Sequence, residues 1–214
     1  MNKSLETYIE GNQLLYCLVE TYLLYMKHGG RSSKKVNHFH EYIKKQIEFI
    51  FPDSNGYKVN LEKDIISLNS SNKKKCDVVL YKHDKPYIIF PIKIIMSNYK
   101  QNKNNSWENL TGELIHLKWR NNDIHIVPIN IYMGTTPYLQ TNKLIKTFEK
   151  ITYKDISQYE YLKTKNLAYD VINYIIDVNH NCKVGEKFDK IPTITGFNHL
   201  TKYRSFNDIL QSLV

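Results

Sequence analysis

Two charged residues lie inside apolar runs where a core has no use for charge. Asp77 stands in Cys76-Asp77-Val78-Val79-Leu80, and Lys93, sixteen positions on, in Ile89-Phe90-Pro91-Ile92-Lys93-Ile94. Side chains alternate along an extended chain, so Lys93 shares a face with Pro91 and Ile89 while Phe90, Ile92 and Ile94 point the other way. An ammonium in such a strand needs an anionic neighbour, because burying it unpaired is costly. Asp77, on the adjacent arm of a hairpin, supplies one. A carboxylate and a lysine so placed suit phosphodiester hydrolysis. A hard cation held by carboxylates, with the Ile92 carbonyl as a further oxygen ligand, would activate water and relieve charge on the phosphorane. Lys93 would orient the attacking water and stabilise the transition state.

The elements that must position this pair are read from periodicity and punctuation. Leu5 to Lys27 has helical spacing and stops at Gly29-Gly30, and the basic stretch Arg31 to Lys35 reads as a loop. A second helix runs from about Asn37, with Phe39, Ile43, Ile47 and Ile50 on one face, to the turn signal Pro52-Asp53-Ser54-Asn55-Gly56. Extended segments follow at Tyr57 to Asn60, Ile65 to Leu68 and Cys76 to Tyr81, and Asp84-Lys85-Pro86 turns the chain into a strand from Tyr87 to Met96. Ser97 to Asn105 reads as a polar loop and Ser106 to Arg120 as a helix. Ile124 to Met133 reads as a strand that Pro128 assigns to an edge or a bulge. Beyond it the pattern predicts mainly helix: Asn142 to Lys150, Asp155 to Val178 and Asn207 to Val214, with a loop from Asn179 to Phe197.

This order of helix, strand, hairpin, strand with a Lys, polar loop, helix and strand resembles the core of the PD-(D/E)xK nuclease superfamily over roughly residues 37 to 133. Asp77 matches the family's hairpin Asp, and Lys93 its strand Lys. The acidic position of the triplet is occupied by Pro91, which has no carboxylate. Some restriction enzymes that the chain resembles carry the second acid on the following helix. Here Glu108, fifteen residues after Lys93, is the favoured counterpart, since a first-turn carboxylate suits the helix dipole and Gly112 permits close approach to the strand. Glu113 is its competitor, about 140° round the helix.

The resemblance implies an α/β (α+β) restriction-endonuclease-like fold, a central mixed sheet flanked by helices, with helical extensions at both ends. It implies one nuclease domain over 1–214: an N-terminal helix and basic loop at 1–36, a catalytic core at 37–133 and a mainly helical part at 134–214. It further implies a type II restriction endonuclease, a homodimer acting on double-stranded DNA with Mg²⁺, for which Mn²⁺ can substitute; a repair or recombination nuclease of the same fold and, given Pro91, a catalytically dead DNA-binding protein are the alternatives. Dimerisation would use the N-terminal helix and the helix from Asp155. Arg31, Lys34 and Lys35, and the amide- and lysine-rich Asn98, Lys100, Gln101, Asn102, Lys103, Asn104 and Asn105, are candidate DNA contacts.

Composition agrees with an anionic partner. The 214 residues carry a net charge of +9, and a basic surface concentrates polyanions and gains from counterion release. No apolar run is long enough to span a bilayer. Three scattered cysteines without a CxxC pair exclude a disulfide scaffold and a zinc-ribbon site, and the reducing cytoplasm is the natural setting. Weaker signals are Glu41 and Glu48 on the second helix, a His38-His40-Glu41 cluster of metal-binding residue types, and Arg120 to His125. The last has the Arg-x4-His spacing of metal-independent HEPN ribonucleases.

Overall fold

The computed structural model describes residues 3–30, 32–199, 201 and 203–213, and for 3–10 the backbone alone. Helix α1 (Lys3–His28) is followed by α2 (Ser33–Ile50), which starts four residues earlier than its apolar spacing suggests because Ser32 caps it, accepting the Lys34 amide at 3.2 Å. Lys34 and Lys35 therefore sit in a helical turn instead of a loop. Phe39, Ile43 and Ile47 on α2 are fully buried, each contributing roughly 1.5–3 kcal/mol by transfer out of water. Pro52 then prevents a further turn.

Strands β1 (Tyr57–Ile66), β2 (Lys73–Lys82) and β3 (Lys85–Phe90) form an antiparallel meander, and β5 (His125–Ile126) adds parallel to β3. Strand β4 (Ile92–Ile95) begins a second sheet. It pairs in parallel with β6 (Ile129–Met133), which pairs in parallel with β9 (Ile172–Asn179), and β10 (Thr193–Phe197) closes the order antiparallel to β9. Pro91 separates β3 from β4 and Val127-Pro128 separates β5 from β6. Bonds from Val127 N–H to the Ile89 carbonyl (2.9 Å) and from Ile129 N–H to the Pro91 carbonyl (2.8 Å) carry one sheet into the other. Each expected long strand is thus two short ones, because proline gives the ladder no N–H.

Helix α3 (Tyr99–Arg120) is the crossover between the meander and the parallel strands. It begins seven residues before the expected start and absorbs most of the supposed polar loop. Two distant groups set that start: Asn98 Oδ1 accepts the Leu139 amide at 2.6 Å, and the buried Glu149 carboxylate accepts the Lys100 amide at 3.1 Å in the first turn.

The C-terminal third is not mainly helical. Residues Thr135–Leu139 (β7) and Ile145–Lys150 (β8) form a hairpin where a helix was expected. Asp155 to Val178 is divided into short turns, α4 (Tyr153–Ile156) and α5 (Tyr161–Thr164), and then β9. The run Val171-Ile172-Asn173-Tyr174-Ile175-Ile176 satisfies helical spacing and β-propensity alike, and pairing to β6 decides for the strand. Only α6 (Phe206–Gln211) is a helix of the expected kind.

Two apolar clusters lie on opposite faces of these sheets. One joins α1, α2 and α6 to Val59, Val78, Leu80, Ile88 and Ile131; the other joins α3 to Val79, Ile89, Ile126, Tyr132 and Ile175. The three cysteines are buried and free. Among the described residues, no helix is long and apolar enough to cross a membrane.

Candidate active site

Asp77 sits where the regular alternation of β2 fails. Cys76 packs into the α3-side cluster and Val78, two residues on, into the α2-side cluster, although an undistorted strand would send both the same way. Across the ladder the flanking pairs are Leu61 with Val78 and Lys63 with Cys76, so Glu62 faces Asp77. Glu62 has φ of 52°. Among the described non-glycine residues with positive φ it is the one inside a strand, a conformation that costs of order 1 kcal/mol or more. Asp77 thereby lines a cavity with Glu113 of α3 and lies close to His40 of α2.

Asp77 is fixed by the start of β4: its Oδ2 accepts the Ile92 N–H at 2.7 Å. The proline at 91 bends the chain between β3 and β4, which frees that amide for the carboxylate. Lys93 follows on β4, exposed, in register with Asn130 of β6.

Asp77, Ile92, Lys93 and Glu113 line one open cavity of about 510 Å³, whose wall also includes Lys35, Lys74, Lys75, Asn102, Ser106 and Asn130. Asn130 is buried, donates to Asn173 Oδ1 at 2.9 Å and leaves its own Oδ1 without a partner at the cavity floor. Glu113 is four-fifths shielded from water at its side chain (19 % exposed) and pairs with Lys74 Nζ at 3.1 Å. Burial pushes the Glu113 carboxyl above its ordinary range. Lys74 opposes the shift, the Asp77 charge adds to it, and Lys93 again opposes it. The same acids act on the thiol between them: Cys76 is pushed up to about 12, by burial first and then by Glu113 and Asp77.

Glu108, the acid favoured from sequence, is exposed and outside this cavity. Because α3 begins at Tyr99, Glu108 falls in its third turn. The buried Leu110, Leu114 and Leu117 fix the helix phase. Glu108 is about 200° from Leu110 and Glu113 about 60° from it, so Glu113 is the acid that α3 brings beside Asp77. Gly112 does not serve close approach, since a Cβ there would meet nothing within 4 Å.

Of the candidate DNA contacts, Lys35 and Asn102 line the cavity, and Asn98, Gln101 and Asn102 line its neighbour of about 640 Å³. Lys35 Nζ donates to the Gly30 carbonyl at 2.7 Å and lies 4.9 Å from the Tyr25 ring centroid. Burial lowers its pKa. Lys34, Lys100, Asn104 and Asn105 are exposed, while Lys103 is held by Asp155 at 2.8 Å and the Asn98 Oδ1 is occupied by the Leu139 amide. Arg31 lies outside the described residues.

Sequence reasoning passed over Lys74, Lys75 and Asn130, although the run Lys73-Lys74-Lys75 directly ahead of Asp77 was a legible signal. It also passed over Glu62. His40, buried on α2, places Nδ1 3.2 Å from Glu62 Oε1, and ligand atoms of His40, Glu62 and Asp77 all lie within 4.8 Å of one another. Glu41 and Glu48 lie elsewhere on α2, Glu48 paired with Lys44 at 3.6 Å, and His38 bonds Glu20 at 3.0 Å. The donor set around Asp77, carboxylates with one imidazole, fits a divalent cation.

Arg120 ends α3 and His125 opens β5, its ring edge-on to Tyr87 and Tyr169. That placement is unlike an all-helical Arg-His pair. No protein-family model, curated protein or solved structure matches this chain.

Proposed function

We propose that this chain is a magnesium-dependent endonuclease that hydrolyses double-stranded DNA in the manner of type II restriction enzymes. The observation that carries the reading is the meeting of Asp77, Lys93 and Glu113 on one open cavity rimmed by Lys35, Lys74 and Lys75. The connectivity supports it as well. Helix α2, the meander β1-β2-β3, the α3 crossover and the parallel strand β5 follow the order of a restriction-endonuclease-like core.

In this reading Asp77 and Glu113 hold the cation, which when bound supplies a Lewis acid and acidifies its water. The Ile92 N–H fixes the carboxylate of Asp77, so its orientation is set before substrate arrives. Lys93 directs the attacking water and balances charge that builds on the phosphate. Lys74 neutralises Glu113, a role that a bound cation would share. Lys35 and Lys75 attract the backbone, and Asn102 offers an amide to it. The protein acts in the cytoplasm as a homodimer, because one site per chain must be doubled to cut both strands of a palindrome. Helix α1, with Tyr16 and Leu23 exposed, is the candidate interface.

Incubation of supercoiled plasmid with the protein and Mg²⁺ tests the reading. Discrete linear fragments are expected from the native chain and none from Lys93→Ala. Equal cutting by both would end the assignment.

A further inference from the structure

We infer that His40, Glu62 and Asp77 form a binding site for a divalent transition-metal ion, with Mn²⁺ preferred over Mg²⁺, reached from the α2 side of the sheet. The site shares Asp77 with the proposed catalytic centre and so rests on the reading of that residue as a ligand. Its other two members, His40 and Glu62, have no part in the catalytic reading.

Three features carry it. His40 is 1 % exposed, its Nδ1 lies 3.2 Å from Glu62 Oε1 in a group that includes Asp77, and its Nε2 has no hydrogen-bond partner. A core histidine kept for packing normally satisfies both nitrogens. Here only the nitrogen that faces Glu62 is satisfied. Second, neither Glu62 nor Asp77 is in an ion pair with Lys or Arg among the described residues, although two acids face each other across the ladder. A cation between them supplies the missing charge.

Third, the three ligand atoms cluster closely enough that small side-chain movements bring them onto one ion. Two donors about 2.1 Å from a metal are about 3.0 Å apart at right angles and about 4.2 Å apart when opposed. His40 Nδ1 and Glu62 Oε1 are 3.2 Å apart, and all three ligand atoms fall within 4.8 Å.

The imidazole sets the preference. Mg²⁺ favours oxygen ligands and retains its waters, whereas the first-row transition ions accept nitrogen readily. An Asp77 shared between this site and Glu113 would bring a second cation beside the first, and Mn²⁺ would then support the activity more strongly than Mg²⁺.

The test is Mn²⁺ binding by the full chain without DNA, read by electron paramagnetic resonance of the free ion and by nitrogen hyperfine coupling in the bound one. The native protein should show imidazole coupling, and Mg²⁺ should displace this Mn²⁺ only at more than tenfold higher concentration. Glu62→Gln, at an exposed position, should weaken binding at least tenfold without disturbing the core. His40→Gln should abolish the nitrogen signal. Lys93→Ala should bind Mn²⁺ as the native chain does. Unaltered Mn²⁺ affinity in Glu62→Gln, or bound Mn²⁺ without nitrogen coupling, overturns the site. If the native chain shows the coupling but leaves plasmid intact, the site stands and the nuclease reading falls. If plasmid is cut while Glu62→Gln binds Mn²⁺ like the native chain, the reverse holds.

Discussion

The Asp77 carboxylate and the Ile92 amide are joined by a 2.7 Å hydrogen bond that ties the meander to the first residue of β4. One oxygen of the acid is thereby committed to structure, and the other is left for chemistry.

Asp77→Asn separates these two duties. The amide oxygen can still accept from Ile92, so the melting temperature should stay within a few degrees of the native value, a change of about 1 kcal/mol or less. Loss of the negative charge should lower cleavage by about 10²-fold or more. Plasmid nicking rates beside a thermal melt measure both, and a variant that cuts normally would remove Asp77 from the site.

Glu113 and Glu108 can be told apart by the same assay. Glu113→Gln should lower the cleavage rate by about 10²-fold, whereas Glu108→Gln, exposed and outside the cavity, should leave it within about twofold. The opposite ranking would return the second acid to Glu108.

Glu113 also has a pH signature in stability. Burial raises its carboxyl above the ordinary value of 4.5, despite Lys74 and Lys93. A raised carboxylate makes the native state bind its proton more tightly than the unfolded chain. The stabilisation is full below 4.5 and is lost as pH rises through the raised value. At neutral pH the charged group therefore weighs against folding. Glu113→Gln should melt higher than the native chain at pH 7.5 and equally near pH 4. A variant that melts lower at pH 7.5 would show that the bond to Lys74 outweighs the burial.

Asp170 behaves in the opposite sense. It is 7 % exposed, and burial would raise its pKa, but hydrogen bonds from Arg204 and Lys163 and from the Val171 amide prevail and hold it below 3.8. Its contribution is present above 3.8 and is lost as pH falls through the depressed value. Asp170→Asn should cost about 2 kcal/mol at pH 7, below the range for fully buried pairs because both cations keep much of their hydration. Chemical denaturation at pH 7 and pH 3 should show the difference shrinking in acid.

How much of this was legible in the sequence depended on whether the cause was local. The hairpin of Cys76–Tyr81 with the strand from Tyr87, which carries Asp77 on its first arm, and the end of α3 at Arg120 follow from β-branched runs, turn residues and apolar spacing within short windows, whereas β1 is one strand, Tyr57–Ile66, in place of the two segments Tyr57 to Asn60 and Ile65 to Leu68. The start of α3 did not, because Glu149 and Leu139 set it from some forty to fifty residues away, and with it went the choice between Glu108 and Glu113. Residues 145–150 and 172–179 were read as helix because their patterns satisfy both periods, and only pairing with distant strands resolves them. His40 was visible as a residue type, but Glu62 became its neighbour through a backbone distortion that no spacing rule describes.

Pro91 stands where the nuclease fold that the sequence resembles would keep an acid, and it is also the hinge at which one strand becomes two. Ligand and joint are thereby exclusive tenants of a single position. A glutamate introduced there would restore a third carboxylate beside Asp77, yet the straightened backbone would draw the Ile92 amide back toward the ladder and leave Asp77 free to swing. Repairing the motif in this chain would loosen the very residue the motif exists to serve.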